Sequence, residues 1–211
     1  MIIGGTNLDS VIFDLDGTIW DPVDTVLQAW NKAIQHHIDL ETELTREDLE
    51  SIMGLQIHDI GEKLFPHVEE TTRLLMLEDC FEREVDELKE HGGALYDQVE
   101  EVLEDLSQRY KLFIVSNCQD GYIETFYMFH QLEKYFEDFE NPGRTGLSKG
   151  ENIRLVMERN NLEQPIYVGD TDGDRKAAAY AGIPFVFASY GFGEVSDYEK
   201  RIETFGEMIE I

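Results

Sequence analysis

Apolar residues in this chain recur with two rhythms. Short continuous runs, Val11-Ile12-Phe13, Leu112-Phe113-Ile114-Val115, Pro165-Ile166-Tyr167-Val168 and Pro184 to Ala188, predict buried strands. Between them apolar positions fall at helical spacing, as in Val99, Val102, Leu103 and Leu106. Ile123 to Leu132, Ile153 to Asn160 and Arg175 to Ala181 read as helices in the same way. Phe136 to Phe139 reads as a weaker strand, and Asn141-Pro142-Gly143 as a turn. Strands alternating with helices predict an α/β fold with a doubly wound parallel sheet.

The alternation is interrupted straight after the first strand. Val23, Val26, Leu27, Trp30, Ala33 and Ile34 keep helical spacing behind Pro22, and the adjacent His36 and His37 read as helix-end residues. Thr45 caps a short helix that ends at Gly54. Ile57 to Leu64 forms another before Pro66, and Glu69 to Glu90 is the longest, closed by Gly92-Gly93. The expected organisation is an α/β core of residues 1–19 and 94–211, with a small all-helical cap of residues 20–93 inserted in it. The cap pattern contains no strand.

A chain of 211 residues suits one core plus a small insertion. No apolar run approaches the roughly 18 residues of a membrane span. Residues 1–10 lack the basic start and long apolar stretch of a signal peptide, so the expected location is cytoplasmic. Cys80 and Cys118 make neither a disulfide framework nor a zinc site. The formal net charge of −28 repels nucleic acid and anionic membranes. It would also repel a phosphate ester, so such a substrate would need a local metal ion and a local Lys.

Asp14 and Asp16 follow the first strand two residues apart, and extended backbone would point them the same way. Gly17 permits the turn beyond them. Two aligned carboxylates invite like-charge strain that a hard divalent cation relieves. In doubly wound sheets ligands bind outside the carboxyl ends of the strands. Ser116-Asn117 and Gly169-Asp170, with Asp174, occupy two further strand ends, and Lys149 precedes a helix.

In that order these residues resemble the motifs of the haloacid dehalogenase-like (HAD) hydrolase superfamily, and the likeness covers nearly the whole chain. Asp14-Leu15-Asp16-Gly17-Thr18 is similar to its Asp-x-Asp-x-Thr motif. The strand ending at Ser116, then Lys149, then Gly169-Asp170-Thr171-Asp172-Gly173-Asp174 are similar to the remaining three. The helical cap, Ala181-Gly182-Ile183 and Tyr190-Gly191-Phe192-Gly193 resemble the phosphoglycolate phosphatase-like subgroup.

The resemblance implies a Mg²⁺-dependent phosphatase acting through an aspartyl-phosphate. Asp14 would be the nucleophile and Asp16 the acid and base. Asp14, the Asp16 carbonyl and Asp170 would hold Mg²⁺, with Asp174 nearby, directly or through water. Ser116, Asn117 and Lys149 would bind the phosphoryl oxygens. The implied substrate is a small phosphorylated metabolite, with phosphoglycolate as the leading guess, and the implied protein a monomer or homodimer.

Lys149-Gly150 departs from the usual Lys-Pro, which makes Lys134 the rival lysine and Arg144 a supporting charge. Cys118 is expected to contribute backbone only. A sugar-phosphate mutase of the β-phosphoglucomutase type and a non-catalytic binding protein are the alternative readings. The first is disfavoured by Asp174, the second by the intact motifs. Loops around Met53-Gly54-Leu55-Gln56 and the Trp20 turn are expected to select the substrate by closing over it.

Overall fold

The structure, a computed structural model, describes residues 8–38, 43–55 and 57–211. The expectations placed on the first seven residues and on Gln56 lie outside them. In chain order the elements begin with β1 (Ser10–Phe13), β2 (Trp20–Asp21), α1 (Val23–Ile34), α2 (Arg46–Glu50), α3 (Ile57–Leu64) and α4 (Glu70–His91). There follow β3 (Ala94–Leu95), α5 (Val99–Ser107), β4 (Lys111–Val115), α6 (Tyr122–His130), β5 (Asp138–Glu140) and α7 (Pro142–Thr145). The chain continues through α8 (Lys149–Asn160), β6 (Pro165–Gly169), α9 (Asp172–Ala181), β7 (Phe185–Ala188) and β8 (Lys200–Ile202).

Six strands form one sheet in the order β5-β4-β1-β6-β7-β8, and every pairing is parallel. β1 is buried at all four positions because helices cover both faces of the sheet, which demands an apolar run rather than alternation. The chain winds from β1 to β4 and β5 on one side, then returns to β6, β7 and β8 on the other. The carboxyl ends of β1, β4 and β6 therefore lie side by side at the crevice where ligands bind in such sheets.

Helices α1 to α4 follow one another between β2 and β3, close to the helical runs read from the sequence. Trp30, Ala33 and Ile34 of α1 and Met76, Leu77 and Cys80 of α4 belong to the same buried cluster as the sheet's inner residues. One expectation fails here. Residues 20–93 are not strand-free: Trp20 and Asp21 pair antiparallel with Leu95 and Ala94. Two-residue strands leave no periodicity to read. They join the entry and exit of the helical insert where Thr25 Oγ1 also donates to the Gly92 carbonyl at 2.7 Å.

Candidate active site

β1 ends at Phe13, and the chain then wraps tightly. The amides of Thr18, Ile19 and Trp20 all reach the Leu15 carbonyl. Gly17 has φ +78°, and a Cβ there would collide with the Asp170 carboxylate. This wrap separates the two leading acids. Asp14 stays with the sheet, its amide donating to Val168 O at 2.8 Å. The carboxylate of Asp16 takes hydrogen bonds from Trp20 Nε1 at 2.6 Å and Tyr122 OH at 2.9 Å. The expectation that both carboxylates face one cation from an extended segment is thus corrected: the strand has ended before either acid, and Asp16's side chain stands apart.

The acids that do converge are Asp14, Asp170 and Asp174, with one oxygen of each within 4.8 Å of the others, all buried. Asp170 follows β6 and accepts from the Phe192 amide at 2.7 Å. Gly191 lies against it so closely that a side chain would strike Asp170 and the Gly17 carbonyl. Asp174 sits in the first turn of α9, where it completes a capping box: its Oδ2 accepts from the amide and hydroxyl of Thr171. Its Oδ1 accepts from Lys149 Nζ at 2.6 Å.

Lys149 begins α8 rather than preceding it, behind the Ser148 cap. Only 5 % of it is exposed, and its ammonium stands 3.0 Å from Asp14 Oδ1. Lys134, the rival, pairs with exposed Glu100, and Arg144 lies over the Phe139 ring near Glu140.

Ser116 is buried at the end of β4. Asn117, beside it, donates its side-chain amide to the Gly54 carbonyl of the insert at 2.8 Å. That amide is engaged across the boundary between insert and sheet, which leaves the Asn117 main-chain N–H as the group for an anion. Burial pushes the Cys118 thiol well above its usual range, so it is no thiolate, and Sγ lies 3.9 Å from the Ser116 carbonyl.

The charges reflect the crowding. Burial pushes the Asp14 carboxyl up to about 7; Asp174 adds to this and Lys149 opposes it. Burial likewise raises Asp170 well above the usual carboxylate range, with Asp174 and Asp14 contributing. Asp16 is raised to about 6 by burial, against the hydrogen bonds from Trp20 and Tyr122. Burial disfavours the Lys149 ammonium, but Asp14 and Asp174 outweigh it and hold the group firmly charged.

Oδ1 of Asp14 and Oδ1 of Asp170 are buried without a hydrogen-bond partner. For Asp14 the Lys149 ammonium stands at ion-pair distance, 3.0 Å. Buried acceptors of this kind are normally satisfied. Clustered anionic oxygens fit a hard divalent cation such as Mg²⁺. Asp174, with both oxygens taken by protein donors, is suited to support the ion from outside. The Trp20 turn is expected only to select substrate, and Tyr122 and the Phe192 amide are not among the expected site groups. The Tyr122 and Phe192 contacts span 106 and 22 residues of sequence, which no local pattern reports.

A family profile for haloacid dehalogenase-like hydrolases matches residues 11–188. Among solved structures, a predicted phosphoglycolate phosphatase from Haemophilus somnus superposes with a TM-score of 0.85 at 19% identity, covering 98% of this chain and 99% of that one. A haloacid dehalogenase-like family protein from Streptococcus pneumoniae gives 0.84 at 18% identity over 97% and 98%. At such identities these likenesses speak for the fold. A tyrosine-protein kinase, PtkA of Mycobacterium tuberculosis, is 24% identical over 213 residues, 95% of this chain and 68% of its own.

Proposed function

The chain belongs to the haloacid dehalogenase-like hydrolase family, and from that premise we propose that it is a Mg²⁺-dependent phosphatase. Its substrate is a small phosphomonoester and its intermediate an aspartyl-phosphate on Asp14. The observation that carries this reading is the buried set of Asp14, Asp170, Asp174 and Lys149, in which Oδ1 of Asp170 has no partner and Oδ1 of Asp14 has only the Lys149 ammonium.

Mg²⁺ held by Asp14, the Asp16 carbonyl and Asp170 would supply positive charge against the phosphoryl oxygens. Phosphoryl transfer asks mainly for positioning and charge neutralisation. Lys149 adds the fixed cation. The Ser116 hydroxyl and the Asn117 main-chain amide add donors in a site where preorganised dipoles act strongly. Asp14 attacks phosphorus, and the bond to the leaving oxygen breaks. Asp16 gives that oxygen a proton, then takes one from the water that hydrolyses the acyl phosphate. Trp20 and Tyr122 fix its carboxyl for both transfers.

Helices α1 to α4 act as the cap that excludes water during attack. The Asn117 bond to Gly54 is a contact that opening would break and closure would restore. A screen of phosphorylated metabolites tests the reading. Turnover is expected with Mg²⁺ and is expected to vanish in excess EDTA; undiminished turnover in EDTA contradicts it. Turnover that required an added acceptor would indicate a phosphotransferase instead. Phosphoglycolate belongs in the screen, although the cleft chemistry below weighs against it.

A further inference from the structure

We infer that Glu84 of the helical insert selects the leaving group, and that the substrate's alcohol carries a hydroxyl or ammonium donor rather than a carboxylate. This rests on the phosphatase reading above. Glu84 lies on α4, 6 % exposed, although no step of the chemistry uses it. Trp30 Nε1 donates to its Oε2 at 2.6 Å, and Gln119 Nε2 to its Oε1 at 3.2 Å. A carboxylate can accept about four hydrogen bonds, so each oxygen keeps capacity for another donor.

The group does not sit in a sealed core. It walls a cavity of about 50 Å³ together with Asp16, Trp30, Asn117, Gln119 and Tyr122. Asp16 is the proposed proton donor to the leaving oxygen, so the alcohol portion of a bound ester enters this space. A larger cleft of about 430 Å³ continues outward past Leu55, Phe81 and Leu147.

The cavity is short of donors. Asn117 Oδ1, on its wall, is a buried acceptor with no partner. The Trp30 and Tyr122 donors are already spent on Glu84 and Asp16. No Lys or Arg is found among the described residues lining the cavity or the outer cleft. Lys149 is held by Asp14 and Asp174. A carboxylate on the leaving group would add an anion to two acids without a cation to meet it. A hydroxyl or ammonium would supply what Asn117 and Glu84 lack. Burial outweighs the two hydrogen bonds and raises the Glu84 carboxyl to about 8; a neighbouring ammonium would favour its charged form, whereas a second carboxylate would disfavour it further.

The test compares kcat/KM of the whole protein with Mg²⁺ on four esters of similar size. Glycerol 1-phosphate and phosphoethanolamine carry donors and no carboxylate; phosphoglycolate and 3-(phosphonooxy)propanoate carry a carboxylate and no hydroxyl or ammonium. The donor-bearing pair should lead by at least about tenfold. At pH 9, where the Glu84 carboxyl is ionised, Glu84→Gln keeps the shape and removes the charge, and should narrow that lead by at least about fivefold. A greater loss on phosphoethanolamine than on glycerol 1-phosphate identifies the ammonium as the favoured donor; a greater loss on glycerol 1-phosphate identifies the hydroxyl, and equal losses show that Glu84 takes either. A wild-type preference for the carboxylates overturns the inference without any variant. So does a Glu84→Gln protein with native circular dichroism and an unchanged ratio. If the wild type does not cleave even p-nitrophenyl phosphate, the phosphatase reading has failed and the inference falls with it.

Discussion

At the scale of single residues, burial is the dominant influence on the acids of this protein. Glu84 illustrates its sign. Its ordinary value is 4.5 and its folded value about 8. Below pH 4.5 folded and unfolded states both hold the proton, so the group costs nothing. Between the two values the unfolded chain releases the proton while the folded one keeps it, and stability falls as pH rises. Glu84→Gln removes that loss. The melting temperature of the variant relative to wild type should therefore climb between pH 5 and pH 8.5 by roughly 10 °C. A gap that stays constant with pH would show that Glu84 is not held protonated.

At the scale of elements, two helix starts carry the site. Ser148 and Thr171 cap α8 and α9, and each box places a functional side chain in the first turn: Lys149 in one, Asp174 in the other. Thr171→Ala removes the hydroxyl bonds to Asp174. It should cost about 1 kcal/mol of stability, as losing such a cap generally does. It should also weaken Mg²⁺ binding, because Asp174 loses an anchor while still holding Lys149. Thermal melts and a metal titration measure the two effects; unchanged metal affinity would mean Lys149 and the Thr171 main-chain amide position Asp174 without the hydroxyl.

The strand ends bearing Asp14, Ser116 and Asp170 were legible because parallel strands buried on both faces must be apolar and must stop where polar residues begin. The two helix starts were legible only in part. Their signatures, Ser148 to Glu151 and Thr171 to Asp174, stand in the sequence, but Gly150 and Gly173 mask them as poor helix formers. β8, Lys200–Ile202, is a polar edge strand with no apolar run, and β2 and β3 are too short for any rhythm. Tyr122 and Glu84 reach the site only through tertiary packing.

For the molecule as a whole, the net charge of −28 sets the terms on which a phosphate ester arrives. The field opposes approach, and Lys149 together with a divalent cation on the buried acids would offset it locally. Salt should therefore help: raising ionic strength from about 20 to 150 mM shortens the screening length to about 8 Å. KM for a phosphomonoester should fall by about two- to threefold while kcat holds. A KM that rises with salt would point to an attractive entry path that the charge distribution does not provide. No described helix is long and apolar enough to cross a membrane.

The account depends most on Asp14 becoming covalently phosphorylated. The direct measurement is to quench the protein during turnover with Mg²⁺ and a cleaved phosphomonoester, reduce it with borohydride, and map the peptides by mass spectrometry. Reduction converts an aspartyl-phosphate to homoserine. The expected result is homoserine at position 14 and at none of Asp16, Asp170 or Asp174, and none anywhere in Asp14→Asn, which should not turn over. Homoserine at another aspartate, or steady turnover by Asp14→Asn, would contradict the assignment of the nucleophile.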